Sequence, residues 1–499
     1  MKKFIKYIAS ATALASILAS CDLNLVPINS IAYQEGGRLI ETQANLTNLE
    51  NGLLHSFRAA QMGEYSIASE VMTDGFNATL DYGNNYGGIH KTDYNFTSSD
   101  YYVEDYWSTN YSGIKNYNIF IAAADNVSEE LVANARVAKG EAFFLRAASY
   151  LNLARHFGNA WSAATAATDL CVPLVTVYDQ QAKPARATVK EVYDQIKSDL
   201  DSAAVCLAGV AGKVRADRPT IDAVNALYAR YFLDTHDYAK AAEYAHKLID
   251  AGKYTLASTA AEMTAEFVND RGTEPIYQVF ASLSEGTNSS NVWTYWSSNA
   301  EHGEVFKPYF LPTQTLVDSY DTGDLRLEAW FDNTEWVQLN GKYYKGEFYV
   351  FTKFWGNPAL TSSLRNGRQA PKPFTIAEQY LIAAEAELAA GDAAAARADL
   401  NALQIARNSG LTDATVESIR KEWFKETVGE GLRMSCLKRW GIGYSGRPMQ
   451  SGAVNVLNSG DVYDGKVFKS DDYHFNWPIP SYEMKINKNL KQNAGYVNE

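Results

Sequence analysis

Residues 226–249 read ALYARYFLDTHDYAKAAEYAHKLI. Apolar residues recur at helical spacing on both sides of Thr235-His236-Asp237-Tyr238, and the small residues Ala229 and Ala241 fall where two paired helices must approach. The stretch predicts a helical hairpin with a tight turn. Residues 376–403 repeat the arrangement, with Gly391-Asp392 at the turn and Ala384 and Ala396 at the small positions. Further out, residues 138–158 (AKGEAFFLRAASYLNLARHFG) set Phe143, Ala147, Tyr150, Ala154 and Phe157 at steps of four and three, which predicts one apolar helix face closed by Gly158. Helices are also expected over residues 42–61, 107–127, 188–207 and 416–440. Residues 275–310 and 336–354 are rich in Tyr, Trp, Val and Gly with no helical period, and read as short strands and long loops. Residues 74–105 form another irregular, Tyr-, Asn- and Gly-rich stretch, long enough to suggest a functional loop.

The chain has 499 residues, with 45 Lys and Arg against 58 Asp and Glu. Its first twenty residues hold Lys2, Lys3 and Lys6 and no acid, so a chain starting at Cys21 carries 42 − 58 = −16. That charge argues against nucleic acid or an anionic membrane surface as partner. The 32 Tyr and 10 Trp supply rings with an apolar face and a polar tip, suited to stacking on a ligand.

The N-terminus has a basic start, a short apolar run over residues 8–19, and Leu18-Ala19-Ser20-Cys21. The run is too short to span a bilayer. Leu-Ala-Ser-Cys resembles the lipobox of bacterial lipoproteins, which implies a signal peptide over residues 1–20, lipid (palmitate among it) on Cys21, and a tethered single domain over residues 21–499. Cys171, Cys206 and Cys436 have no framework spacing and read as small buried hydrophobes.

The hairpin spacings resemble tetratricopeptide repeats. Four landmarks together resemble the SusD/RagB family of surface nutrient-binding lipoproteins. They are the lipobox followed by Asp22-Leu23; Trp107-Ser108, Tyr111, Gly113-Ile114 and Asn118 with Gly140-Glu141-Ala142, Leu145-Arg146-Ala147 and Phe157-Gly158; Glu422, Glu426, Glu430-Gly431, Arg433, Leu437 and Arg439-Trp440-Gly441; and Pro478-Ile479-Pro480, Glu483, Asn487, Leu490, Gln492-Asn493 and Gly495-Tyr496. Trp423, Cys436, Lys488 and Ala494 depart from the family pattern and suggest a divergent branch. The resemblance implies a mainly α, SusD-like fold: a scaffold of tetratricopeptide-type hairpins carrying long loops and a few short β-strands. It implies a lipoprotein on the outer face of the outer membrane, capping a TonB-dependent SusC-like barrel and delivering oligosaccharides or, as in the RagB-like branch, oligopeptides. Asp22 after the lipid-bearing Cys is compatible with surface export in that family.

Asp321-Thr322-Gly323 matches the aspartic-protease triplet, but one copy cannot supply the two carboxylates that share a proton, so a structural turn is expected. Glu422, Glu426 and Glu430 at steps of four are expected to pair with cations such as Arg420, Lys425, Arg433 and Arg439. The seven His show no metal-ligand spacing, and residues 461–464 read as a solvated acidic turn, so no metal, cofactor or catalytic residue is assigned. A periplasmic tetratricopeptide adaptor is disfavoured, because its repeats would be contiguous. The ligand is expected between two aromatic, polar regions that match where relatives make their contacts: Asp81, Tyr82, Asn84, Asn85, Tyr86, His90 and Tyr94 before the Trp107 helix, and Trp293, Tyr295 and Trp296 in the middle of the chain. Rings with Asn favour a glycan over a peptide.

Overall fold

The computed structural model describes residues 38–61, 64–79, 86–92, 96–285, 294–339, 341–361, 367–453 and 465–497. It begins with α1 (Gln43–Ala60), α2 (Glu64–Val71), β1 (Phe76–Ala78) and α3 (Gly87–Lys91). There follow α4 (Tyr101–Ala123), α5 (Val132–Phe157), α6 (Val189–Leu207), α7 (Ile221–Asp234), α8 (Tyr238–Ile249) and α9 (Ala260–Asn269). The middle of the chain supplies β2 (Pro275–Tyr277), β3 (Thr294–Asn299), β4 (Gly303–Pro308), β5 (Phe310–Pro312), α10 (Gln314–Ser319), α11 (Leu325–Trp330), β6 (Phe331–Leu339), β7 (Lys342–Phe351) and β8 (Phe374–Thr375). The last part holds α12 (Ile376–Ala390), α13 (Ala393–Ala406), α14 (Val416–Glu426), α15 (Arg433–Trp440), β9 (Tyr444–Ser445), β10 (Val467–Phe468) and α16 (Ser481–Ile486).

Both expected hairpins form. In the first, His236 takes a positive φ of 61° and Asp237 caps α8 by accepting from the Lys240 N–H. In the second, Gly391 takes φ 92° and Asp392 accepts from the Ala395 N–H. Ala229, Ala241, Ala384 and Ala396 are fully buried, as close helix pairing requires, and the hairpins pack on each other through α8 and α12.

Residues 138–158 are helical, but α5 is not one-sided. It is buried on nearly every side, between α4 and α6, so its apolar positions do not collect on one stripe. A Cβ at Gly140 would lie 2.6 Å from Cys206 Cβ, so the glycine sets the approach of α6. Gly158 ends the helix with extended backbone rather than a left-handed cap, and it is glycine for space, since a Cβ there would meet Cys171 Sγ at 2.7 Å. Arg146 donates to both Asp199 oxygens, at 2.8 and 2.6 Å, and ties α5 to α6. The helix expected from residue 107 starts earlier, at Tyr101, where Asp100 caps it.

Residues 416–440 form two helices rather than one. Gly429 and Gly431 take φ values of 78° and 76°, which breaks the chain between α14 and α15. Glu430 therefore leaves the Glu422–Glu426 face and accepts from Lys353 at 2.7 Å. Lys425 does approach Glu422, at 3.1 Å, but the main partners come from elsewhere. Arg326 reaches Glu422 at 2.6 Å and Glu426 at 2.9 Å, and Arg407 reaches Glu426 at 2.6 Å and Glu274 at 2.8 Å. Arg433 pairs with Asp74, Arg439 with Glu385, and Arg420 lies over the Trp440 ring. The Asp321 triplet is a turn: Asp321 accepts from Ser409 Oγ at 2.9 Å and Gly323 has φ 87°. Cys171 and Cys436 are buried free thiols, pushed by burial up to about 12 and about 11, and Cys206 is free and half-buried.

The C-terminal segment closes over the end of α5. Gln492 donates to and accepts from the Ile479 backbone, while Asn493 donates to the carbonyls of Phe157 and Trp477. Trp107 is in the core, 2% exposed, with its ring against Phe157.

Candidate ligand-binding surface

The sequence around residues 333–347 alternates and contains the pair Asn340-Gly341, a sequence signal for a hairpin turn, and Gly341 takes φ 77°. A hairpin of nine- and ten-residue strands, β6 and β7, results. It joins β4 in parallel and, through it, β3, giving the sheet order β3-β4-β6-β7. Period-two alternation then sorts the side chains. Phe306, Val337, Leu339 and Val350 turn inward with Leu311 and Ala453 to form a small core of their own, against which Tyr344 and Trp355 pack.

Trp336 pairs with Lys345, and Gln338 with Tyr343, on the outward face. The His302 ring, from the β3–β4 turn, stacks on Trp336 at 4.2 Å and 26° and tilts against Tyr343 at 4.6 Å. Asn299 holds this arrangement from two sides: its Oδ1 accepts from the N–H groups of Glu301 and His302, and its Nδ2 donates to the Tyr343 hydroxyl at 2.7 Å. Tyr343 is still 37% exposed. The Lys345 ammonium lies 5.8 Å over the Trp336 ring and 3.6 Å from Glu335. Three rings are thus held in place by the sheet and partly open to water. Such a platform can stack on a flat, partly apolar ligand face without ordering cost.

Of the residues expected to bind, Asp81, Tyr82, Asn84, Asn85, Tyr94, Trp293 and the lipidation residue Cys21 lie outside the described residues, as do residues 461–464. Tyr295 and Trp296 are on β3, in register with Lys307 and Phe306, so that expected region enters the same sheet. Tyr86 and His90 are each 1% exposed. The Tyr86 ring stacks on Tyr102 at 5.0 Å and meets Phe310 edge-on. His90 Nε2 is 3.0 Å from Asn77 Oδ1, and burial holds the ring well below its usual pKa and neutral. Both pack into the core midway along the 74–105 stretch. Trp336, Tyr343, His302 and Asn299 were missed as a set, although the alternation around residues 340–341 carried the signal.

A cavity of about 260 Å³ opens beside α1, lined by Asn51, Leu54, Arg58, Asp217, Arg218, Phe280 and Glu285. Its cations are already engaged, Arg58 by Glu285 at 2.9 Å and Arg218 by Glu50 at 2.8 Å, so it offers no free positive charge to an anion. Among the described residues no helix is long and apolar enough to cross a membrane.

Residues 29–233 match a family model described as "Starch-binding associating with outer membrane", and residues 333–496 match the SusD family model. The chain is 30% identical over 125 residues to the starch-binding protein SusD of Bacteroides thetaiotaomicron, a stretch that spans 25% of this chain and only 21% of that protein. A crystal structure of a SusD superfamily protein from the same organism superposes with a TM-score of 0.75 at 24% identity, covering 90% of this chain and 99% of the other. A laminarin-binding SusD-like protein superposes at 0.70 and 20% identity, covering 92% and 100%. The landmark residues, the paired hairpins and these matches agree, and the chain belongs to the SusD/RagB family.

Proposed function

We propose that this protein captures oligosaccharides at the cell surface and passes them to a TonB-dependent SusC-like barrel, held beside it by lipid on Cys21. The observation that carries the proposal is the outward platform of Trp336, Tyr343 and His302 on the β3-β4-β6-β7 sheet. Flat, prepositioned rings suit the C–H faces of sugar rings, and the names of two relatives, starch-binding and laminarin-binding, point the same way. Trp296 belongs to the proposed contact set because it sits on β3 of this sheet, and Tyr82, Asn84 and Trp293 belong to it because their aromatic and amide side chains supply the same stacking and hydrogen-bonding chemistry. Lys345 and Glu335, 3.6 Å apart, and Glu301 beside His302 are charged groups at the edge of the platform, while its centre is built of rings.

The protein binds its ligand without chemistry. The carboxylates that could act in catalysis, Glu422 and Glu426, are fully enclosed in ion pairs with Arg326, Arg407 and Lys425. A tether keeps the lid near its barrel at high effective concentration, so the two need no large permanent interface. Affinity electrophoresis of the lipid-free body from Asp22 onward through gels containing different polysaccharides tests the proposal. Retardation by at least one glycan, with no change in the glycan afterwards, is expected. Free migration through every glycan gel, with binding to peptides instead, overturns it.

A further inference from the structure

His246 stands in the last turn of α8, Glu387 in the last turn of α12, and Asp399 within α13. These are the two helical hairpins, distant in sequence but packed together. His246 Nε2 lies 2.8 Å from Glu387 Oε1 and 3.2 Å from Asp399 Oδ2, and one donor atom from each residue falls within 4.8 Å of the others. We infer that this triad is a binding site for a divalent first-row transition metal, of which Zn²⁺ is the type, clamping the two hairpins.

Three observations carry it. The first is spacing. Zn–N and Zn–O bonds of about 2.1 Å place neighbouring ligand atoms about 3.0 Å apart in octahedral and about 3.4 Å apart in tetrahedral geometry. The measured 2.8 and 3.2 Å need only small adjustment to accept an ion. The second is unmet demand. Glu387 Oε2 and Asp399 Oδ2 are buried in residues only 8% exposed, and beyond the His246 ring and each other they have no hydrogen-bond partner. Among the described residues no Lys or Arg ion-pairs with either carboxylate, so one imidazole faces two buried acids.

The third is orientation. His246 Nε2 points at the two acids, donating to Glu387 Oε1 at 2.8 Å, and an ion would take the place of that proton, while Nδ1 lies 3.4 Å from Asp250 Oδ1. The ends of α8 and α12 add the negative poles of two helix dipoles. His246 is about a third exposed, which leaves an open side for water ligands and a route of entry. One imidazole with two carboxylates suits a borderline ion such as Zn²⁺ better than a soft-ligand site would.

The test uses the mature chain stripped with a chelator, titrated with Zn²⁺ by calorimetry, and with Co²⁺ followed by its visible absorption. One equivalent should bind and raise the thermal midpoint. The double variant Glu387→Gln/Asp399→Asn keeps the shape of the site, and His246→Ala removes the nitrogen. Each should weaken that binding about 100-fold and abolish the thermal shift, with the circular dichroism spectrum unchanged. If the parent binds no stoichiometric Zn²⁺, the inference is wrong. It is equally wrong if the double variant, folded, binds as the parent does, because the ion then sits elsewhere.

Discussion

Glu426→Gln tests the charge cluster that joins α14 to the middle of the chain. The Glu426 carboxylate accepts from Arg407 Nη2 at 2.6 Å and from Arg326 Nη1 at 2.9 Å, and it is 5% exposed. Burial alone would raise its pKa, but Arg407 and then Arg326 outweigh burial and bring it down to about 2 from the ordinary 4.5. That gap corresponds to roughly 3 kcal/mol, within the range of about 3 to 5 kcal/mol for removing one partner from a buried pair. Arg326 would keep Asp324 and Glu422, and Arg407 would keep Glu274, so the variant should fold. Unfolding entropy of about 2.1 cal/mol/K per residue makes a loss of this size a fall of about 3 °C in midpoint. A depressed carboxylate pKa stabilises above the unfolded value and stops doing so as pH falls through the folded one. The difference between parent and variant should therefore be full above pH 4.5 and shrink toward pH 2. Urea unfolding at pH 7 and at pH 3 measures both. A loss under about 0.5 kcal/mol at pH 7, or a loss that does not shrink at pH 3, refutes the reasoning.

Burial, opposed by N–H groups of Gly431 and Arg433, raises Glu70 to about 7 from 4.5. Its contribution is present below pH 4.5 and lost as pH rises through 7, so Glu70→Gln should gain on the parent by roughly 3 kcal/mol between pH 5 and pH 8.5 in urea unfolding; a constant difference would contradict this. Gly158→Ala sets a Cβ 2.7 Å from Cys171 Sγ and should cost about 1–3 kcal/mol. Adding Cys171→Ala should recover part of that loss, and strict additivity in a double-mutant cycle would argue against the contact. Cys21→Ala should release the protein from membranes or leave uncleaved precursor, and unchanged anchoring in a fractionation experiment would exclude the lipid.

What could be read from the sequence followed from local rules. The two hairpins were legible because helical period, small residues and turn residues such as Gly391-Asp392 agree within one stretch. The break after Glu426 was not, because Glu422, Glu426 and Glu430 keep a helical step in sequence while Gly429 and Gly431 adopt positive φ. Nor were the partners of those acids, since Arg326 comes from 100 residues away. Reading α5 as one-sided failed because a helix buried all round has no solvent face to mark its core face. On the binding surface, aromatic content alone could not separate Tyr86, stacked inside on Tyr102, from Tyr343, left open on the sheet. Only strand register distinguishes them. The His246 cluster was invisible for the same reason as the charge network: His246 and Glu387 lie 141 residues apart.

The most direct test of glycan capture is calorimetric titration of a glycan that retards the parent protein into the Trp336→Ala/Tyr343→Ala variant, with folding checked by circular dichroism. Each stacking ring should contribute about 1 kcal/mol, so the double variant should bind at least about tenfold more weakly. Equal affinity in the folded double variant and the parent would contradict the account.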